Sequence, residues 1–110
     1  MVQRYIKNPL LIENKKFDLR LYVLIVGLNP VRAYLADEGL ARLCTEDYVP
    51  PNAQNMRNMF SHLTNFSLNK ESDKYKEPGE EFLTDGSGNK RLLTVTWKTM
   101  EEQGLDVQEI

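Results

Sequence analysis

The chain is poor in the residues that most directly announce chemistry. Its 110 residues include one cysteine, Cys44, and one histidine, His62. A single cysteine forms no internal disulfide, which fits a reducing compartment. A zinc site built from several His and Cys ligands is excluded. Charge of one sign is lacking too: 14 basic against 16 acidic residues leave −2. No basic footprint therefore argues for nucleic acid. No apolar run approaches the roughly 20 residues needed to cross a bilayer. The start, "MVQRYIKNPLL", has neither the apolar core nor the small-residue cleavage site of a signal peptide. The nearest thing to a phosphate loop, "DGSGNK" at 85–90, lacks the P-loop spacing. Cys44 has no histidine beside it in sequence, so no nucleophile–base pair is visible. There is no internal repeat and no low-complexity tract.

What is present is ordinary in bulk and unusual in pattern. A composition 41% hydrophobic and 27% charged suits one globular domain. Within it, "NKKFDLRLYVLIV" at 14–26 alternates strictly. Leu19, Leu21, Val23 and Ile25 fall on one side of an extended chain; Lys16, Asp18, Arg20 and Tyr22 fall on the other. At a rise of about 3.3 Å per residue, Lys16, Asp18 and Arg20 form a ladder about 13 Å long, the scale of a nucleotide from ribose to terminal phosphate. Arginine has a donor fork suited to phosphate or carboxylate. Arg32 and Arg42 bring further cations nearby. The bland reading is a solvated face with small cross-strand ion pairs, and by pattern alone it is the commoner one.

The expected elements follow from punctuation. Residues 1–6 alternate as a short strand that Pro9 ends. "LLIENKK" makes a turn, and Lys16–Val26 is one long strand. "GLNP" at 27–30 is turn chemistry, 31–36 its hairpin partner, "DEG" at 37–39 another tight turn and "LARLC" a further strand. The pattern is an antiparallel meander. Residues 56–63 could form a helical turn. Residues 70–90 are charged, glycine-bearing and poor in aliphatics, which predicts a mobile surface loop. Residues 91–103 predict a helix burying Leu92, Val95, Trp97 and Met100 and ended by Gly104. The fold class is α+β. The abrupt strand pattern at the start, and "GLDVQEI" without a closing element, suggest a piece of a larger fold.

"HLTNFSLNK" at 62–70 is the second dense segment. Thr64, Asn65, Ser67 and Asn69 crowd hydroxyls and amides that can cap a helix or bind phosphate oxygens, and on chemistry alone capping is the commoner use. His62 by itself suggests a structural role.

In order and spacing, "VQRYIKNPLLIENKKFDLRLYVLI", "RAYLADEGLAR" and "SHLTNFSLNK" closely resemble the tubulin tyrosine ligase-like family. The likeness covers nearly the whole chain and weakens over 71–89. It implies a partial ATP-grasp fold: residues 1–110 are the central part of a catalytic domain, an antiparallel sheet with a C-terminal helix and a long mobile loop. It implies an enzyme that uses ATP to join an amino acid to tubulin, or to another acidic protein, by an amide bond. Gln3, Arg4, Tyr5 and Ile6 match the strand along the adenine edge. Lys16 and Asp18 match nucleotide positions, with Asp18 on the ribose, and Thr64 and Asn65 match ATP contacts. Arg20 matches an arginine facing the phosphates and the reaction, and Arg42 a position that holds the incoming amino acid. Ser67 and Lys90 resemble amino-acid-site positions. On this resemblance the ladder becomes one wall of a cleft, and the solvated reading loses.

The family's magnesium carboxylates lie in an Asp and a later Glu-x-Asn that nothing after Lys90 resembles, so no metal ligand is assigned here and Mg²⁺ is expected to be held elsewhere. "LTNFSLNK" and "GNKRLLT" look most like the glutamate-adding members; tyrosine or glycine ligation stays open, as does a non-catalytic remnant that binds nucleotide or microtubules. The implied setting is cytoplasmic, on microtubules, a cilium or a basal body, without nucleic-acid or membrane partners.

Overall fold

A computed structural model describes residues 2–79 and 86–110. Its strands are β1 (Leu11–Ile12), β2 (Lys15–Arg20), β3 (Val23–Leu28), β4 (Val31–Leu35), β5 (Leu40–Leu43) and β6 (Lys90–Leu92). Its helices are α1 (Met59–His62), α2 (Phe66–Asn69) and α3 (Leu93–Glu102). A four-stranded antiparallel sheet runs β1-β2-β5-β6, and β3 and β4 form a separate two-stranded ribbon. The class is α+β, with an antiparallel sheet and a C-terminal helix.

The expected meander is instead one long hairpin with a break. β2 pairs with β5 from Phe17 opposite Leu43 to Arg20 opposite Leu40. Pairing resumes with Val23 opposite Leu35. Leu21 and Tyr22 thus face the four residues 36–39, and the mismatch ends the ladder. The expected single strand 16–26 is therefore two strands. Only Leu19 of the alternating set packs on the core, whereas Leu21, Val23 and Ile25 are exposed. The break is tight: a Cβ placed on Gly39 would stand 2.6 Å from the Arg20 carbonyl oxygen.

The other departures have equally local causes. Residues 2–6, expected to form a strand, pair with no strand among the described residues. The turn expected over "LLIENKK" is only Glu13–Asn14, with φ 51° and 61°, joining the paired Ile12 and Lys15. This is the all-left-handed geometry of a two-residue hairpin. Arg91 and Leu92 belong to a strand, not to the predicted helix, because Arg91 pairs with Ala41 and Leu92 with Leu40. The helix starts at Leu93, where the Glu38 carboxylate accepts from the Thr94 N–H and hydroxyl at 3.2 and 2.8 Å. An acid at a helix N-terminus satisfies orphan donors and the helix dipole. Gly104, at φ 78°, ends the helix as expected.

The segment expected to be a mobile loop is tied at Asn89, one of its described residues. Asn89 is buried, accepts from the Lys76 N–H and donates to the Cys44 carbonyl at 2.8 Å. Residues 80–85 of that loop lie outside the described residues. The core is small: Ile12, Ala41, Leu43 and Met100, flanked by Phe17, Leu19, Trp97, Leu105 and Val107. Helix α3 therefore packs on one face of the sheet and leaves the other uncovered by it.

Candidate functional site

Strand alternation and register decide which side chains share the uncovered face. Arg42 sits opposite Asp18 on one side and Lys90 on the other, so these three form a row across β2, β5 and β6. Lys16 and Arg20 flank Asp18 on its own strand. Five expected site residues thus occupy one face, four cations against one anion. Phe17 and Leu19, their neighbours in sequence, point into the core. The charged ladder follows from burying the alternate residues.

The row is already wired. Arg42 Nε donates to Asp18 Oδ1 at 3.0 Å, and its Nη2 pairs with Oδ2, a two-pronged bond. Hydrogen bonding to Asp18 raises the Arg42 guanidinium above its ordinary range, against the opposing effect of burial. Both side chains stay about one-third exposed, at 32% and 34%, so a ligand can compete for them. Arg20 is exposed and lies over the Tyr22 ring, 5.6 Å from its centroid.

The other candidates approach through Lys16. Its ammonium donates to the His62 carbonyl at 3.0 Å and lies 4.3 Å from the Tyr5 ring centroid. A cavity of about 490 Å³ opens there, lined by Gln3, Arg4, Tyr5, Ile6, Lys16 and Phe17 among others. Its size and mixed lining fall within the range of small-molecule pockets. The family resemblance had placed four of those six residues against adenine. The structure thus brings Gln3–Ile6 to Lys16 although no strand pairing holds them.

The 62–70 segment closes the same edge. Cys44 Sγ contacts the Leu63 carbonyl at 3.4 Å, and the Asn69 amide donates to that carbonyl at 2.7 Å. Asn69 also accepts from the Thr45 N–H. Asn69 is therefore structural. Asn65 precedes α2 without a side-chain capping bond, contrary to the expectation from chemistry alone. Thr64 is half-buried, and Asn65 and Ser67 are exposed. Among the described residues, no group of three His, Cys, Asp or Glu side chains converges to hold a metal. Among the same described residues, no helix is long and apolar enough to cross a membrane.

Two contributors escaped the sequence reading. Tyr48 packs edge-on against His62, with centroids 6.2 Å apart, and donates to the Lys7 carbonyl at 2.5 Å. Glu13 holds Arg91 on the other face. Neither lies within 10 residues of its partner, and no local pattern marks them.

Comparison with known proteins identifies the family. The model of the tubulin-tyrosine ligase family matches residues 1–110. Tubulin polyglutamylase TTLL11 of Mus musculus is 42% identical over 110 residues, covering all of this chain and 15% of that protein. A probable beta-tubulin polyglutamylase of Tetrahymena thermophila is 44% identical over 110 residues, 9% of its length. Tubulin polyglutamylase TTLL5 of Homo sapiens is 44% identical over 106 residues, 96% of this chain and 8% of that protein. The chain spans well under a fifth of the curated relatives it matches.

Proposed function

Because the chain belongs to the tubulin-tyrosine ligase family, we propose that it forms the nucleotide and amino-acid wall of an ATP-dependent ligase that adds glutamate to tubulin. The relatives named tubulin polyglutamylases support the choice of glutamate. The observation that carries the reading is the Asp18–Arg42–Lys90 row lying on the same face as Lys16, which lines the cavity. The row supplies charge, and the cavity supplies an apolar-edged slot for a base.

The roles divide along the face. Gln3, Arg4, Tyr5 and Ile6 wall the base, with Lys16 at its edge. Asp18 accepts from the ribose hydroxyls once Arg42 releases it, and Thr64 and Asn65 contact the nucleotide. In the reaction, a target carboxylate attacks the γ-phosphorus, expelling ADP and leaving an acyl phosphate. The glutamate amine then attacks the acyl carbon; the amide forms, phosphate departs and the amine proton passes to solvent. Arg20 and Arg42 neutralise the charge that develops on the phosphoryl and acyl oxygens. Arg42, Ser67 and Lys90 hold the incoming amino acid. Magnesium belongs to the chemistry of such ligases, but Asp18 is engaged by Arg42 and the described residues converge no carboxylate set for it. No step here depends on a magnesium ligand from this chain. The setting is cytoplasmic, at microtubules.

Arg20→Ala in the full-length polypeptide abolishes ligation; near-normal turnover overturns the role. Labelled glutamate, glycine and tyrosine in competition identify the amino acid, with glutamate expected to win. A second reading, a nucleotide-binding piece without turnover, is favoured for the 110-residue chain by itself by the lack of a metal-binding group among its described residues. ATP-dependent glutamate incorporation by this chain alone would reject that second reading.

A further inference from the structure

Among the described residues, no backbone ladder holds the wall of the cavity that bears Gln3–Ile6. Side-chain contacts then fix such a strap. Two ties are present. Tyr5 Oη is hydrogen-bonded to His62 Nδ1 at 3.0 Å, and Tyr48 Oη donates to the Lys7 carbonyl at 2.5 Å. Both tyrosine rings stand edge-on to the His62 ring, at 87° and 84°. The His62 carbonyl accepts from Lys16, the residue that closes the cavity from the sheet side. One residue therefore touches both walls.

The imidazole itself is oddly placed for a packing residue. His62 is 6% exposed, and its Nε2 is buried with no hydrogen-bond partner. An apolar ring there would avoid the penalty of an unsatisfied nitrogen. What an apolar ring could not provide is the Nδ1 bond to Tyr5. We propose that His62 and Tyr48 are positioning residues that lock the strap at residues 5 and 7 against Lys16, so that the spacing of the base pocket is set by this Tyr–His–Tyr cluster in place of strand pairing. The locking stands on the geometry alone; its consequence for adenine binding rests on the function proposed above.

The strap carries its own reporters, since trypsin cleaves after Arg4 and after Lys7. Arg57, in an exposed turn, serves as an internal control. In the 110-residue chain, Tyr48→Phe and Tyr5→Phe keep the rings and remove only hydroxyls. Each is expected to speed cleavage after Arg4 and Lys7 by about tenfold, the weight of one lost hydrogen bond, with cleavage after Arg57 unchanged. His62→Phe should open the strap as Tyr5→Phe does, because each removes the Tyr5–His62 bond. Unchanged strap cleavage in all three single variants overturns the proposal. Equilibrium binding of ATP and of inorganic tripolyphosphate gives the second readout. The variants should lose affinity for ATP and retain it for tripolyphosphate, a split that general destabilisation does not produce; equal losses overturn the pocket-setting role. If the unaltered chain binds no ATP while trypsin behaves as expected, the lock stands and the nucleotide reading fails.

Discussion

Glu13 and Arg91 meet across 78 residues of sequence, with Nη1 on Oε1 and Nη2 on Oε2, both at 2.8 Å. Arg91 is 3% exposed and lies on the core face, where its Nε also donates to the Gly88 carbonyl. Glu13 sits at positive φ in the β1–β2 turn, a conformation that Asn or Gly adopts more readily. Its carboxylate compensates for that backbone by closing the sheet's two outer strands around a buried charge. Glu13→Gln leaves the guanidinium without its counter-charge. The expected cost is about 1–3 kcal/mol, limited by the solvent exposure of Glu13. Urea unfolding of the two proteins measures it, and equal midpoints would contradict the assignment.

The same pair makes stability depend on pH in a definite direction. The Arg91 hydrogen bonds hold the Glu13 carboxyl below its ordinary 4.5, against the opposing effect of burial. A group with a depressed folded pKa stabilises the fold above its unfolded value and loses that contribution as pH falls through the folded one. The stability gap between the native chain and Glu13→Gln should therefore be constant near neutrality and shrink below pH 4.5. A gap that widens in acid would reverse the sign.

Gly39→Ala tests the break in the long hairpin. The new methyl would lie 2.6 Å from the Arg20 carbonyl oxygen, a backbone atom that cannot swing aside. Overpacking of this kind costs about 1–3 kcal/mol. The Gly39 carbonyl also accepts from the Leu93 N–H at 3.0 Å, so the start of α3 should shift with it. Thermal unfolding should show a lower midpoint; an unchanged one would mean that the hairpin arms separate freely.

Cys44 should be chemically silent while the chain is folded. It is fully buried, and burial pushes its thiol up to about 11. The thiolate is the reactive form, so iodoacetamide at neutral pH should label it only after urea is added. Rapid labelling of the native chain would show that the 62–70 segment does not cover it.

The β3–β4 ribbon predicts behaviour in solution. Leu24, Ile25 and Leu35 are 63%, 60% and 62% exposed, and every residue of both strands is exposed. Two unpaired, apolar edges with one charge, Arg32, are a template for association. Leu24→Lys with Leu35→Lys should reduce light scattering at high concentration while leaving thermal stability nearly unchanged. Undiminished scattering would place the association elsewhere.

Legibility tracked the range of the interaction. The Lys16–Asp18–Arg20 ladder was visible because strand alternation is a property of neighbouring residues, and it survived intact. The helix end at Gly104 was visible for the same reason. The break at Leu21–Tyr22 was not: those residues continue the alternation, and the mismatch comes from residues 36–39 on the other arm. Arg91 looked like the first turn of a helix because nothing near it in sequence reveals Ala41 as its strand partner.

By itself the sequence determined that a cationic face exists, since a two-residue backbone period sends Lys16, Asp18 and Arg20 one way and Phe17 and Leu19 the other. Its match to a family is what the proposed ligand rests on. Only the tertiary structure decided that Arg42 and Lys90 complete the row, that Arg91 is buried on the far side, and that a strap without strand partners is held by Tyr48 and His62. Those outcomes depend on strand register and on contacts between residues dozens of positions apart, which chain order alone does not encode.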